Sequence, residues 1–176
     1  MSSRKSPWLS RLGLFASLLL VGGCVTITPN ISQSEKLGSD EGFLLTTIHT
    51  TRPEGQLSLH REIGSPYATF ELTRSPEMRL IKIKAGDQIR VSTYTVGNAR
   101  YYWDDTAYTF TITPGSINYI GDIEMVTGRG TAVRLVDNEA ETLGAAKTSY
   151  AWLFGKYPYV KATPLKSEVK FLGVRP

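Results

Sequence analysis

The sequence of 176 residues contains a single cysteine, Cys24, and only two histidines, His49 and His60. One cysteine cannot form a disulfide within the chain, so the folded domain must be stable through packing alone. The two histidines lie eleven positions apart, a spacing that does not place two ligands on one face of a helix. The sequence therefore predicts no metal site and no cofactor, and each histidine is interpreted as a strand residue with local hydrogen bonds.

Catalytic motifs are equally scarce. The sequence has no G-x-S-x-G, the pattern that places a nucleophilic serine on a sharp turn. Ser167 and Lys170 match S-x-x-K, but in a strand their side chains would point to opposite faces because three positions is an odd step. The sequence therefore predicts a protein that is not an enzyme. A hydrolase is an alternative only if the fold brings a histidine within reach of a serine and an acid inside a cleft.

The excess of positive charge is small and unevenly placed. Lys and Arg total 20 and Asp and Glu total 16, but Arg4, Lys5 and Arg11 account for three of the basic residues. From residue 24 onward the balance is 17 against 16, and the positive charges are scattered. Nucleic acid is therefore not predicted as a partner, because its phosphates require a clustered basic surface.

The longest apolar stretch, from Leu12 to Gly23, is shorter than the roughly 20 residues that a membrane-spanning helix needs. It is rich in leucine and follows a basic segment that has no acidic residue. This arrangement predicts a secretory signal over residues 1–23 rather than a transmembrane helix.

The end of this segment, Val21-Gly22-Gly23-Cys24, resembles the lipobox of bacterial lipoproteins, which are processed by a peptidase of the signal peptidase II type. The resemblance implies cleavage before Cys24 and lipidation of its thiol with a diacylglyceryl group, followed by N-acylation. Several acyl chains hold a protein in a membrane stably, whereas one chain does so only marginally. Val25 follows the cysteine, where many enteric bacteria place an aspartate to retain lipoproteins at the inner membrane. The resemblance therefore implies anchoring in the outer membrane, facing the periplasm.

The stretch behind the cysteine has few apolar residues and is rich in Ser, Thr, Asn and Gln. This composition predicts a lipidated flexible tether over residues 24–41. Residues 42–176 are enough for one domain with its own core and too few for two.

Alternating apolar and polar residues predict strands along most of this domain. Tyr108, Phe110 and Ile112 show the clearest alternation, with Pro114-Gly115 as the turn after them and a return strand expected beside them. The predicted strands are Phe43–Ile48, Leu57–Ile63, Tyr67–Thr73, Arg79–Lys84, Gln88–Val96, Ala107–Thr113, Ser116–Val126, Gly130–Val136 and Glu168–Gly173.

One segment follows a helical period instead. Apolar residues spaced three and four positions apart predict a helix near 138–154, with Asp137 as its N-cap. The residues of this stripe are Leu143, Ala146, Tyr150 and Leu153.

Short strands with one late helix predict a mainly β fold, an antiparallel β-sandwich of the transthyretin or immunoglobulin type with a C-terminal helix. The stretch Phe110–Asp122, with Tyr157-Pro158 later, is similar to uncharacterised bacterial envelope lipoproteins with a small β-sandwich. Their pattern is roughly F-x-[IV]-x-P-G-x-[IV]-x-Y-[IV]-G-[DN]. This resemblance implies the fold and the location, and it carries no settled activity.

Two groups of residues are candidates for binding. Tyr101, Tyr102, Trp103 and Asp105 form an aromatic and acidic group in a predicted loop, and such a group can stack on a sugar ring and accept from its hydroxyls. Trp152 lies off the helical stripe and is predicted to be exposed, which makes it a candidate partner surface. The sequence thus predicts a non-enzymatic envelope module with a protein partner. A glycan-binding or small-ligand module of the periplasm is the alternative.

Overall fold

A computed structural model describes residues 28–61, 66–73, 76–86, 88–103, 108–127, 131–162 and 171–175. The chain is mainly β, with two six-stranded sheets and two short helices in the described residues. The strands are β1 (Glu41–Thr50), β2 (Gln56–Arg61), β3 (Pro66–Glu71), β4 (Glu77–Lys84), β5 (Gln88–Val96), β6 (Ala99–Trp103), β7 (Thr109–Thr111), β8 (Ile117–Tyr119), β9 (Asp122–Thr127), β10 (Thr131–Val136), β11 (Tyr159–Lys161) and β12 (Phe171–Arg175); the helices are α1 (Glu139–Ser149) and α2 (Ala151–Phe154).

The first sheet is built around β1. Strand β4 pairs with β1 antiparallel along one edge, and β8 and β9 follow one another along the other edge, both parallel to β1. Strand β10 pairs antiparallel with β9, and β11 pairs parallel with β8. The first sheet is therefore mixed, which corrects the prediction of a purely antiparallel sandwich.

The second sheet has the order β12-β6-β5-β2-β3, and β7 pairs with the far end of β5. All of its pairings are antiparallel. Tyr101, Tyr102 and Trp103 lie in β6, so the loop predicted for them is wrong. Their β-favouring side chains are better explained by pairing with β5.

The main core lies between the two sheets, and Leu44 and Ile48 of the first sheet and Leu57 and Phe70 of the second are almost completely buried in it. Alternate residues of β1 point the other way, because successive strand side chains face opposite sides of a sheet. Phe43 belongs to a second core with both helices, which makes three layers: second sheet, first sheet and helices.

The helical segment differs from the prediction in two ways. It breaks at Tyr150, whose φ of −132° is not helical, so two helices replace one. Asn138 occupies the N-cap position without a side-chain hydrogen bond, whereas the predicted cap Asp137 pairs with Lys161 at 2.7 Å. That hydrogen bond from Lys161 also lowers the pKa of the Asp137 carboxyl.

The Pro114-Gly115 turn does not return the chain beside β7, and this prediction is wrong. Strand β7 pairs with β5 in the second sheet, whereas β8 pairs with β1 and β11 in the first. The turn therefore carries the chain from one sheet to the other. Phe110 is buried in the main core, and Ile117 is buried in the second core.

The segment from 28 to 40, here called the strap, also differs from the prediction of a flexible tether. Thr28 N–H donates to the Thr69 carbonyl at 2.8 Å, and Ile31 N–H donates to the Leu80 carbonyl at 3.0 Å. Ile31 and Leu37 pack against the second core. These hydrogen bonds and the partial burial of the two apolar side chains give the strap a fixed place, and the domain boundary predicted at 42 moves back to residue 28 at the latest.

Candidate functional site

The break between β8 and β9 positions a group of buried polar side chains around Asp122. Gly121 has a φ of 91°, a conformation that glycine adopts readily, and its carbonyl accepts a hydrogen bond from Thr46 Oγ1 at 2.7 Å. The Ile120 N–H donates to the Leu45 carbonyl, so the chain stays attached to β1 across the break. This turn places Asp122 beneath helix α1.

Asp122 is only 1% exposed, and its carboxylate is surrounded by donors. Oδ1 accepts from the Thr47 N–H at 3.2 Å and from the Tyr119 hydroxyl at 3.1 Å. The Thr142 hydroxyl of α1 lies 2.9 Å and 3.1 Å from the two oxygens. A buried carboxylate needs such donors, because removing a charge from water without partners costs several kcal/mol. We call Thr47, His49, Tyr119, Asp122 and Thr142 the Asp122 network.

His49 connects this network to the surface. Its Nε2 lies 3.2 Å from Asp122 Oδ2, and its side chain is 31% exposed. A carboxylate can only accept, so Nε2 carries the proton and the tautomer is fixed. Next to it, Glu124 forms an ion pair with Arg134, and the hydrogen bond from that arginine lowers the pKa of Glu124.

A buried acid that orients a histidine supplies two of the three groups of a catalytic triad, and the third is a nucleophile. The third group is not found in the described residues, because no serine or threonine hydroxyl is within hydrogen-bond reach of His49. His60 contacts the Thr93 hydroxyl at 3.3 Å in the second sheet, away from this network. Within the described residues, a histidine therefore meets an acid but not a serine, the third group of the hydrolase alternative.

Tyr119 has a pKa raised above its usual value, by burial first and then by the neighbouring Asp122 carboxylate. Its oxygen accepts a hydrogen bond from the Asn138 N–H at 3.2 Å while its hydroxyl donates to Asp122. The neutral phenol thus links the start of α1 to β9.

We expect Tyr119→Phe to lower the free energy of unfolding by about 1–2 kcal/mol at neutral pH, because the Asn138 N–H loses its acceptor and the buried Asp122 carboxylate loses one of its donors. Above about pH 10 the unfolded wild type loses the Tyr119 proton while the folded state keeps it, so wild-type stability falls as pH rises. Phenylalanine cannot ionise, so the difference between the two proteins should shrink with pH. Urea unfolding at neutral and alkaline pH measures this, and a constant difference would contradict it.

A second buried polar residue, Asn118, holds the turn that joins the sheets. Its Nδ2 donates to the carbonyls of Phe43, Thr113 and Ser116 at 3.1–3.2 Å, and its Oδ1 accepts from the Thr113 N–H at 2.9 Å. The side chain is completely buried. Together with Gly115, at a φ of 66°, it explains much of the Phe110–Asp122 pattern as a requirement of the fold.

The predicted ligand group is not brought together on one surface. Tyr101 packs against the main core and stacks on Tyr94 with ring centroids 5.5 Å apart. Tyr102, the next residue in β6, lies beside Arg100 on the opposite face. Trp103 ends β6, and Asp105 lies outside the described residues. The two tyrosines cannot stack on one sugar ring from opposite faces.

Two further residues were predicted to be functional, Trp152 as a partner surface and Cys24 as the lipidation site. Trp152 is half-buried rather than exposed, and it packs against the second core with its indole Nε1 buried. Cys24 lies outside the described residues, so its lipidation stays a prediction.

Sequence reasoning missed the roles of Asn118, Asp122 and Thr142. The available signal was an asparagine and an aspartate inside an otherwise apolar strand region, since such residues are rarely buried unless they are paired. The sequence gave no sign that Thr142 is buried, because the apolar stripe of the predicted helix included its neighbour Leu143, which is half-buried in the structure.

No group of three or more potential metal ligands occurs among the described residues. Within the same ranges, no helix has the length and apolar character to cross a membrane. Protein-family models, curated proteins and solved structures give no match to this chain.

Proposed function

We propose that this protein is a lipoprotein anchored in the bacterial outer membrane through Cys24, where it acts as a non-enzymatic structural or interaction module of the envelope. The observation that carries the proposal is the position of the only cysteine. It ends Val21-Gly22-Gly23-Cys24, behind a basic segment and a short apolar run. The periplasmic face of the membrane is the proposed location.

The geometry of the Asp122 network supports a role without catalysis. Its carboxylate is held by groups of β1, β8 and α1, and these contacts serve to join the helix to the sheet. His49 reaches the surface without a hydroxyl nucleophile in the described structure. A buried, fully bonded polar network of this kind rigidifies a fold.

The sheet edges support a protein partner. Strand β10, with six residues, lies along the same edge of the first sheet as the shorter β11 and offers the longer template. Unpaired N–H and C=O groups at a sheet edge are a template for an added strand from another protein. Affinity isolation with cross-linking from outer membranes tests this part, and repeated recovery of no partner would contradict it.

We also propose a specific type for the fold. The two sheets around one core support a sandwich of the transthyretin or immunoglobulin type. The three parallel pairings of the first sheet are a departure from an all-antiparallel sandwich of that type.

We expect Cys24→Ser to abolish membrane attachment, because the thiol that would carry the lipid is lost. The wild type, expressed with its own signal, should gain acyl mass and remain with membranes, whereas the variant should not. Thr26→Ser is a matched control that alters a nearby residue and should behave as wild type. Intact mass and membrane partition measure the result. A wild type that is cleaved, unmodified and soluble would show that the anchor proposal is wrong.

A further inference from the structure

The strap begins on the edge of the second sheet. Thr28 N–H donates to the Thr69 carbonyl at 2.8 Å, and Thr28 Oγ1 accepts from the Thr69 N–H at 3.1 Å. Both backbone groups of Thr69 are therefore occupied by Thr28, so the first described residue is fixed to β3.

The strap then crosses to the first sheet. Asn30 Nδ2 donates to the Met78 carbonyl at 3.1 Å, and its Oδ1 accepts from the Leu80 N–H at 3.0 Å. Further along, the Leu37 N–H donates to the Tyr157 hydroxyl at 3.3 Å. The strap thus connects β3 of the second sheet, β4 of the first sheet and the helical layer.

Only three residues separate Cys24 from Thr28. Four Cα–Cα steps span at most about 14 Å when fully extended, at roughly 3.3–3.6 Å per residue. The headgroup layer on each side of a bilayer is about 5–7 Å thick, half the difference between the total and the hydrocarbon thickness. A lipid on Cys24 would therefore hold β3 close to the headgroups.

We propose that the side of the domain formed by β3, β4 and the strap lies against the phospholipid headgroups of the leaflet that carries the anchor. This inference rests on the proposed lipidation of Cys24. The occupant is the lipid surface rather than a protein, because the short chain before Thr28 leaves little room for another macromolecule between the domain and the bilayer.

The side chains at this surface suit a headgroup layer. Tyr67 of β3 accepts a hydrogen bond from the N–H of Lys84 at the end of β4, and the Arg61 guanidinium lies 4.5 Å from the centre of the Tyr67 ring. The Lys84 side chain is 52% exposed, with its amino group 4.0 Å from Asp40. Tyrosine favours the membrane–water interface. The lysines of this face are paired with carboxylates, Lys82 with Glu35 and Glu41 and Lys84 with Asp40, so the surface carries no large net charge that anionic headgroups would repel.

The orientation also decides which edges remain accessible. In the first sheet β10 and β11 lie on the side opposite β4, and in the second sheet β12 lies at the end opposite β3. These far edges would face away from the membrane. They are the edges available to an envelope partner.

Short-range quenching tests the orientation. The full chain, lipidated in cells, is reconstituted into phosphatidylethanolamine and phosphatidylglycerol vesicles whose lipids carry a nitroxide on the headgroup. A fluorescent amino acid replaces either Glu71, exposed on β3, or Asn98, exposed in the turn between β5 and β6. These positions are two to three strand spacings apart, about 10–14 Å, so we expect at least ~2-fold stronger quenching at position 71. Equal quenching at both positions would overturn the proposal.

A linker variant provides the matched control. Twenty Gly and Ser residues inserted between Ile27 and Thr28 leave the strap contacts unchanged and add about 25 Å of average reach. Quenching at position 71 should then fall to the level at position 98. Undiminished quenching would overturn the argument from chain length.

A failure of the anchor can be distinguished from a failure of the orientation. Intact mass shows first whether the protein carries acyl chains. If it does not, the proposed anchor is wrong. The unmodified protein can then be coupled through Cys24, its only cysteine, to a maleimide lipid in vesicles of the same composition. Stronger quenching at position 71 would then show that a short attachment at residue 24 does orient the domain, so that only the anchor had failed, and equal quenching would overturn the orientation as well.

Discussion

Asp122→Ala is expected to lower the free energy of unfolding by about 3–5 kcal/mol, because it removes one partner from a buried and charged hydrogen-bond network. The Thr47 N–H and the hydroxyls of Tyr119 and Thr142 lose their acceptor. The Thr142 hydroxyl can still bond to Thr47 Oγ1, 2.8 Å away, but the backbone N–H has no such replacement. Since a domain of this size is stable by about 5–15 kcal/mol, we expect the variant to retain only a small part of its stability. Urea unfolding followed by circular dichroism measures the loss.

Asp40→Ala is the matched control for this substitution. The Asp40 carboxylate is largely exposed, and its ion pair with Lys84 is long, at 4.0 Å. Exposed pairs of this kind contribute little to stability. The control should therefore unfold close to the wild type. Similar midpoints for Asp122→Ala and Asp40→Ala would show that the Asp122 network does not hold α1 on the sheet.

Asn118→Ala is expected to lower the free energy of unfolding by about 2–3 kcal/mol, because a completely buried side chain loses its hydrogen bonds and the Thr113 N–H loses its acceptor, whereas the Ser116 carbonyl keeps the Phe43 N–H and the Thr113 carbonyl keeps the Ser116 hydroxyl. The partners are the carbonyls of Phe43, Thr113 and Ser116 and the N–H of Thr113. These groups belong to the turn between the sheets, so the crossing from β7 to β8 should loosen first. Hydrogen exchange at the Thr113 N–H measures this directly, and urea unfolding measures the total.

Asn138→Ala makes the same chemical change at a position where little should happen. Asn138 is the N-cap residue of α1, but its side chain makes no capping hydrogen bond. We expect a loss of about 0.5 kcal/mol or less, the low end of the range for cap substitutions. Equal losses in the two variants would mean that the contacts of Asn118 do not stabilise the turn.

The sequence predicted the strands well where alternation was strong. Strand β5 has the predicted bounds, and Tyr108, Phe110 and Ile112 are all buried in the main core. The prediction missed β6, because its consecutive aromatic residues do not alternate with polar ones and were interpreted as part of a loop. It missed β11 because a strand of three residues is too short to show alternation. It also placed β7 and β8 side by side, since local turn chemistry does not reveal whether a turn stays within a sheet.

The amino-acid sequence by itself determined the period of most strands, the helical segment near its true place, and the location of the single cysteine behind a signal-like segment. These features are local, because they depend on residues a few positions apart. The tertiary structure alone decided the parallel pairing of β1 with β8 and β9, the docking of the strap and the assembly of the Asp122 network. Thr47 and Asp122 are 75 positions apart and Thr47 and Thr142 are 95 apart. Only when two sheets and a helix close around a shared core do such distant polar groups meet, because burial then requires each of them to find a partner.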